Sequence, residues 1–258
     1  ITSDQFPPYD YIFSHYIGDT ELIKPKGILV HDNHIYVCDF LDHQIKQFKL
    51  NGTFVKNWFS VQYPTDLTVD PETNTFYVIS GEFYRRNSIL KVNSNGELIW
   101  SIEKSNDQSR LTGTHGAVGI RFNPINKYLY ITDQQMNRIV VFNSTNGDFL
   151  FESRGLSIPR NLTISQEGNI YIADFNSNRI KVVNPNGIQI DVYGPISGTY
   201  FQTEGLLFYP QFVHFNQFDY LFVITRDYLS RFQIFTKNFN YTGITISRRN
   251  RYNIPKSP

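Results

Sequence analysis

Ile170-Tyr-Ile-Ala-Asp-Phe-Asn-Ser-Asn-Arg-Ile-Lys-Val-Val183, followed at once by Asn184-Pro-Asn-Gly187, is the stretch whose reading decides the fold. Two short runs rich in β-branched residues flank a polar turn and predict a pair of strands. Asn186-Gly187 then supplies the positive φ angles of a tight hairpin into a further strand. Four other stretches vary the same theme. Aligned on the residue that ends the second strand, they are Asp39, Ser80, Asp133, Asp174 and Thr225, at spacings of 41, 53, 41 and 51 residues. That period suits a unit of four short strands.

Each unit has the same parts. The first strand begins at Pro25, Pro64, Ala117, Pro159 or Pro210, and proline suits a strand's first residue, where its missing N–H breaks no ladder bond. A turn rich in Asn, Asp or Gly leads to the second strand, such as Asp70-Pro-Glu-Thr-Asn74. After the third strand come the hairpins Asn51-Gly52, Asn95-Gly96, Asn146-Gly147 and Asn186-Gly187, and then a fourth strand. Five such quartets with no helical period predict an all-β fold, a β-propeller of four-stranded antiparallel blades. An isolated sheet of this size is marginal, so neighbouring blades must bury each other's faces. That accounts for most of the 22 Phe and 17 Tyr. Three parts are expected: an N-terminal segment, 1–24; the blades, 25–246; and a basic tail, 247–258. Within the first, Asp10-Tyr-Ile-Phe-Ser-His-Tyr-Ile-Gly18 has the look of a fourth strand that closes the ring. Five blades are readable, and this extra strand leaves room for a sixth.

Composition narrows the function classes. A net charge of +1, with 18% charged residues, advertises no basic field for nucleic acid. No apolar run approaches a membrane span. The lone Cys38 cannot form an internal disulfide and reads as a small buried hydrophobe. Sequons at Asn51, Asn143, Asn161 and Asn240 are in keeping with an extracellular location, although chance alone would give nearly as many. The chain opens at Ile1 rather than Met, as a mature product or an excised part of a larger chain would.

The wording of the repeat resembles the NHL family of propellers: Pro-x-Gly-apolar, then apolar-Tyr-Val-x-Asp, then Asn-x-Arg-apolar, then Gly. Residues 25–52 and 159–187 match best and 117–147 well, while 64–96 and 210–241 depart, with Ser80 and Thr225 in the Asp place. The resemblance implies the fold and leaves the activity open, because one fold hosts many functions.

Loops joining fourth to first strands, and second to third, emerge together on one face of a propeller. The long connections 103–116 and 194–209 and the widened 82–87 all lie there, and long loops on a rigid scaffold usually carry function. The expected binding residues are Tyr84, Arg85, Arg86, Arg110, His115, Arg160, Tyr200, Phe201 and Glu204. Asp39, Asp133 and Asp174, with Arg138 and Arg179 nearby, suggest paired-charge chemistry. Recurrence in every good repeat makes them scaffold instead, accepting turn N–H bonds.

First-strand starts should line the channel mouth. Peptidyl-amidating lyases resemble this repeat and carry zinc-binding His just after the Pro; here stand Lys26, Thr65, Val118, Arg160 and Gln211. Lactonase-type propellers hold calcium in the channel, for which Asp66, Asn161 and Glu204 are the candidate oxygen donors. Some NHL propellers bind single-stranded RNA, and Lys26, Arg85, Arg86, Arg110, Arg160 and Arg226 could form a basic patch. The expectation is a non-catalytic module without a cofactor that binds a protein, peptide or glycan on the long-loop face. The alternatives are a calcium-dependent hydrolase and an RNA reader.

Overall fold

In the computed structural model the described residues are 17–18, 20–81, 87–102, 116–194, 205–226 and 230–246. They form five four-stranded antiparallel sheets. Blade one comprises β1 (Pro25–His31), β2 (His34–Asp39), β3 (Gln44–Lys49) and β4 (Phe54–Ser60). Blade two comprises β5 (Pro64–Asp70), β6 (Thr75–Gly81), β7 (Asn87–Val92) and β8 (Leu98–Ile102). Blade three has β9 (Ala117–Asn123), β10 (Tyr128–Asp133), β11 (Arg138–Asn143) and β12 (Phe149–Arg154). Blade four has β13 (Pro159–Ile164), β14 (Ile170–Asp174), β15 (Arg179–Val183) and β16 (Gln189–Tyr193). Blade five has β17 (Pro210–Phe215), β18 (Tyr220–Thr225), β19 (Phe232–Thr236) and β20 (Tyr241–Ile246). The fold is a β-propeller, and every first strand starts where the sequence places it.

The hairpins have local causes. Asn51 Oδ1 accepts the N–H of Thr53, and Asn184 Oδ1 accepts those of Asn186 and Ile188. Gly96, at φ +83°, could not be replaced freely, since a Cβ there would lie 2.6 Å from the Trp58 carbonyl oxygen.

Blade-to-blade packing runs in chain order, through the innermost strands β1, β5, β9, β13 and β17. Apolar clusters join each successive pair: Tyr36, Trp58 and Phe76 between blades one and two, Tyr77 and Phe122 between two and three, Tyr130 and Leu162 between three and four. Tyr171 and Phe215 join blades four and five, with ring centroids 4.8 Å apart at 89°. The aromatics are scaffold, each burying a large apolar area in an edge-to-face or offset contact. Cys38 is a free, fully buried thiol in the first of these clusters.

Side chains also satisfy the free edges of inner strands. Asp66 Oδ2 accepts the N–H of Ile120, Thr68 Oγ1 that of Phe122, and Thr163 Oγ1 that of Phe215. On its other side blade one packs Ile35, Val37 and Phe48 against Ile17 and Leu22. Most of the expected closing strand, 10–18, lies outside the described residues; blade five already owns a fourth strand, β20. No helix among the described residues is long and apolar enough to cross a membrane.

Candidate functional site at the channel mouth

The recurring carboxylates hold the frame. Asp39 accepts the backbone N–H groups of Ile23 and Lys24, at 2.9 and 2.7 Å, and pairs with Lys46 at 2.9 Å. Asp174 takes the N–H of Ser157, again in the connection leading to its own blade's first strand. Asp133 accepts the N–H of Met136 and pairs with Arg138 at 3.0 Å. Ser80 does the same work in reverse, donating to the Gln62 carbonyl at 2.5 Å. None of these groups is left over for chemistry.

A second clamp crosses to the next blade from the loops between second and third strands of blades one, three and four. Asn137 Oδ1 accepts the N–H of Ile158, Asn178 Oδ1 that of Tyr209, and His43 Nδ1 that of Tyr63. All six residues sit at positive φ, between +48° and +58°. Two left-handed turns thus lock face to face just before Pro159, Pro210 and Pro64.

With the frame fixed, β-bulges aim the site. Pairing between first and second strands jumps from Pro25 to Ile28, Pro64 to Asp66, Pro159 to Leu162 and Pro210 to Phe212, and skips Val118 in blade three. A bulged residue leaves the ladder and its side chain is redirected. The residues so released include Lys26, Thr65, Val118, Arg160, Asn161 and Gln211, all on innermost strands at the end bearing the longer loops, here the upper face.

Two of them meet aromatic rings. Lys26 Nζ lies 3.4 Å from the centroid of Phe40, and the Arg160 guanidinium 4.9 Å from that of Phe175. Phe40 packs on Tyr63 at 5.2 Å and Phe175 on Tyr209 at 4.9 Å, so each cation rests on a two-ring bed. The beds belong to blades one and four. Partial desolvation first, then the charge of Lys24, pull the Lys26 ammonium down to about 8; Cys38 opposes them, and Arg160 adds the smallest share. Burial and the neighbouring Arg226 likewise disfavour the charge on Arg160.

Of the expected site residues, Arg160 is therefore at the mouth, beside Lys26, Arg226 and Asn161. Tyr84, Arg85, Arg86, Arg110, His115, Tyr200, Phe201 and Glu204 lie outside the described residues. The beds Phe40 and Phe175 escaped the sequence reading. Their signal was present: only the two best-matched repeats pair Pro-Lys or Pro-Arg with a later Asp-Phe. Among the sequons, Asn51 and Asn240 are exposed, Asn143 is half-buried, and the Asn161 amide oxygen is buried.

Calcium was the alternative for this channel. Asp66 is buried and its Oδ2 is taken by Arg121 at 2.8 Å as well as by Ile120 N–H. Burial pushes the Asp66 carboxyl up, while Arg121 and backbone N–H groups pull it back. Asn161 Oδ1 is buried and unbonded, so it alone of the two described donors is available. Among the described residues, no three His, Cys, Asp or Glu side chains converge as a metal site. The third candidate donor, Glu204, lies outside the described residues.

A cleft of about 400 Å³ opens on the lower face, lined by Arg121, Thr163, Ser165, His214, Asn216 and Asp219 among others. Its polar groups are largely engaged: Arg121 by Asp66, Thr163 by Phe215 N–H, Asn216 by the N–H groups of Phe218 and Tyr220. The unmet polar atoms are above.

Comparison with known proteins agrees on the architecture. A family model described as "Lactonase, 7-bladed beta-propeller" matches residues 31–189. Among solved structures, the chain is similar to one from a nidogen/laminin complex, at 18% identity and a TM-score of 0.65, covering 88% of this chain and 81% of the other. A protein of unknown function from Bacteroides caccae gives 12% identity and 0.68, with 89% and 83% covered. Virginiamycin B lyase from Staphylococcus aureus gives 15% and 0.60, with 90% and 71% covered. A search of curated proteins found no match. At these identities the structural likeness speaks for the fold alone. The family's description has seven blades; the described residues here make five.

Proposed function

The chain belongs to the family described as lactonase, 7-bladed β-propeller, and from that premise we propose that it is a non-catalytic, NHL-like binding module that engages a protein, peptide or glycan through its upper face. One observation carries the reading. Among the described residues, Asn87 Oδ1, Gln134 Oε1, Arg160 Nε and Asn161 Oδ1 are buried without a hydrogen-bond partner; Asn87, Arg160 and Asn161 stand at the upper ends of their strands and Gln134 just beyond the upper end of β10. Lys127 Nζ, on the lower face, lies 2.6 Å from the Glu72 carboxylate. Each buried, unmet polar atom costs about 1–3 kcal/mol, and four on one face favour a ligand that satisfies them. A propeller of this shape occurs in a nidogen/laminin complex, which accords with a protein partner.

A photoreactive benzoylphenylalanine replacing exposed Gln135 on the upper face, or exposed Gln217 on the lower, tests the reading in extract of the source organism. Cross-links from position 135 and not 217 are expected; cross-links from 217 alone, or from neither, overturn it.

A second reading, lactone hydrolysis at a channel calcium held by Asp66, Asn161 and Glu204, has the family description behind it. The Asp66–Arg121 pair weighs against it. Stoichiometric calcium in the purified protein, together with lactone turnover abolished by Asn161→Ala, would put this reading first.

A further inference from the structure

We infer that the chain associates with a second copy of itself, the open face of blade five in one copy packing on the open face of blade one in the other. The inference goes beyond the reading of the upper face and does not depend on it.

The interfaces within the chain show what these two faces lack. In every blade the residue three places after the start of the first strand is turned toward the preceding blade. Leu67, Ile120, Leu162 and Val213 hold that place and are at most 1% exposed, whereas Ile28 in blade one is 49% exposed. Two residues further on, Phe122 and Phe215 are buried and Val30 is 61% exposed. The other face of each blade is turned toward the blade that follows. There Cys38, Ile79, Thr132 and Ala173, just ahead of Asp39, Ser80, Asp133 and Asp174, are fully buried, but Ile224, just ahead of Thr225, is 37% exposed. Phe212, Phe222 and Phe232 stand half-buried on that same face of blade five, the last two stacked at 5.3 Å. Among the described residues no apolar cluster joins blade five to blade one. Ile17 and Leu22 pack on Ile35, Val37 and Phe48, on the second and third strands of blade one, and leave Ile28 and Val30 on the innermost strand open.

A second copy is the occupant whose shape the chain already holds. End units of a stacked array need a polar outer face to stay soluble, and an apolar one marks an interaction surface. The forward face of one blade fits the rear face of the next at each junction from blade one to blade five. Blade five of one copy therefore meets in blade one of another the kind of surface that the earlier blades meet in their successors. The polar groups agree. Thr68 and Thr163, four residues after their prolines, accept the N–H groups of Phe122 and Phe215 in the next blade. His214 holds the same place after Pro210 and has no hydrogen-bond partner among the described residues. A nitrogen of its neutral imidazole can accept the N–H of Val30, the counterpart of Phe122 and Phe215, in the second copy. Placed gap to gap, two copies use both open faces at once, blade five of each against blade one of the other.

Sedimentation velocity of the whole chain over a roughly hundredfold concentration range tests the inference. A species with the mass of two chains is expected. Val30→Glu or Ile224→Glu, each putting an unpaired charge into the apolar contact, should weaken association at least about tenfold. Leu98→Glu, at an exposed apolar position on the outermost strand of blade two, should leave it unchanged. Mixing tests the head-to-tail geometry, because each charged variant keeps one working face. Val30→Glu and Ile224→Glu together should form mixed dimers that neither forms alone, weaker than those of the wild type because one contact of two remains. Circular dichroism and thermal melts verify that each variant is folded. A monomer at every concentration overturns the inference, and so do dimers that survive both charged variants. Equal disruption by Leu98→Glu, or a mixture that behaves as its separate parts, overturns it as well.

Discussion

Asp39 carries more of the fold than its size suggests. Its carboxylate is fully buried, and burial pushes its pKa upward. The N–H groups of Lys24 and Ile23 and the Lys46 ammonium outweigh that and hold it below the ordinary carboxylate range. Asp39→Asn removes the charge and is expected to cost about 2 kcal/mol in urea unfolding at pH 7, since hydrogen bonds to charged groups contribute about 1.5–3 kcal/mol. A lowered carboxyl stabilises the fold above its unfolded pKa and loses that contribution as pH falls through the lower folded value. The gap between wild type and Asp39→Asn should therefore be full at neutral pH and close below about pH 4.

At the scale of the element, the blade was legible because its punctuation is local. Proline starts, Asn-Gly hairpins and alternating apolar residues act within a few residues of one another, so the strand from Pro159 and the place of the turn at Asn186-Gly187 could be read directly, although only Gly187, at φ +79°, takes the positive φ expected of both residues. What escaped acts across blades. Nothing in Asn178 alone shows that its amide oxygen will hold the N–H of Tyr209, 31 residues on, at 2.9 Å. Nor does Pro159-Arg160-Asn161 declare a bulge, which exists only against β14. Removing the clamp with Asn178→Ala should cost about 1 kcal/mol. Ile158, a β-branched residue at φ +53°, bears left-handed strain of roughly 1–2 kcal/mol, so Ile158→Asn should lose little stability or gain some. Parallel urea melts of the two variants check both signs.

Across the whole molecule, satisfied and unmet polar groups separate onto different surfaces. Blade interfaces and the lower-face turns are satisfied internally, whereas the upper face keeps a group of cations and a rim of unmet amide oxygens. The sequence pointed to that face through loop lengths, but loop length names no chemistry, and most residues it nominated lie outside the described ones. Arg160 was the exception, because a residue next to a first-strand proline must face the channel. The central claim is that ligands meet the protein at this mouth, and hydrogen–deuterium exchange with the cross-linked partner bound tests it most directly. Slower exchange is predicted in 24–28, 158–162 and 208–212, with the lower-face turns at 70–74, 124–127 and 166–169 unchanged. Protection of those turns, with none at the first-strand starts, would contradict the account.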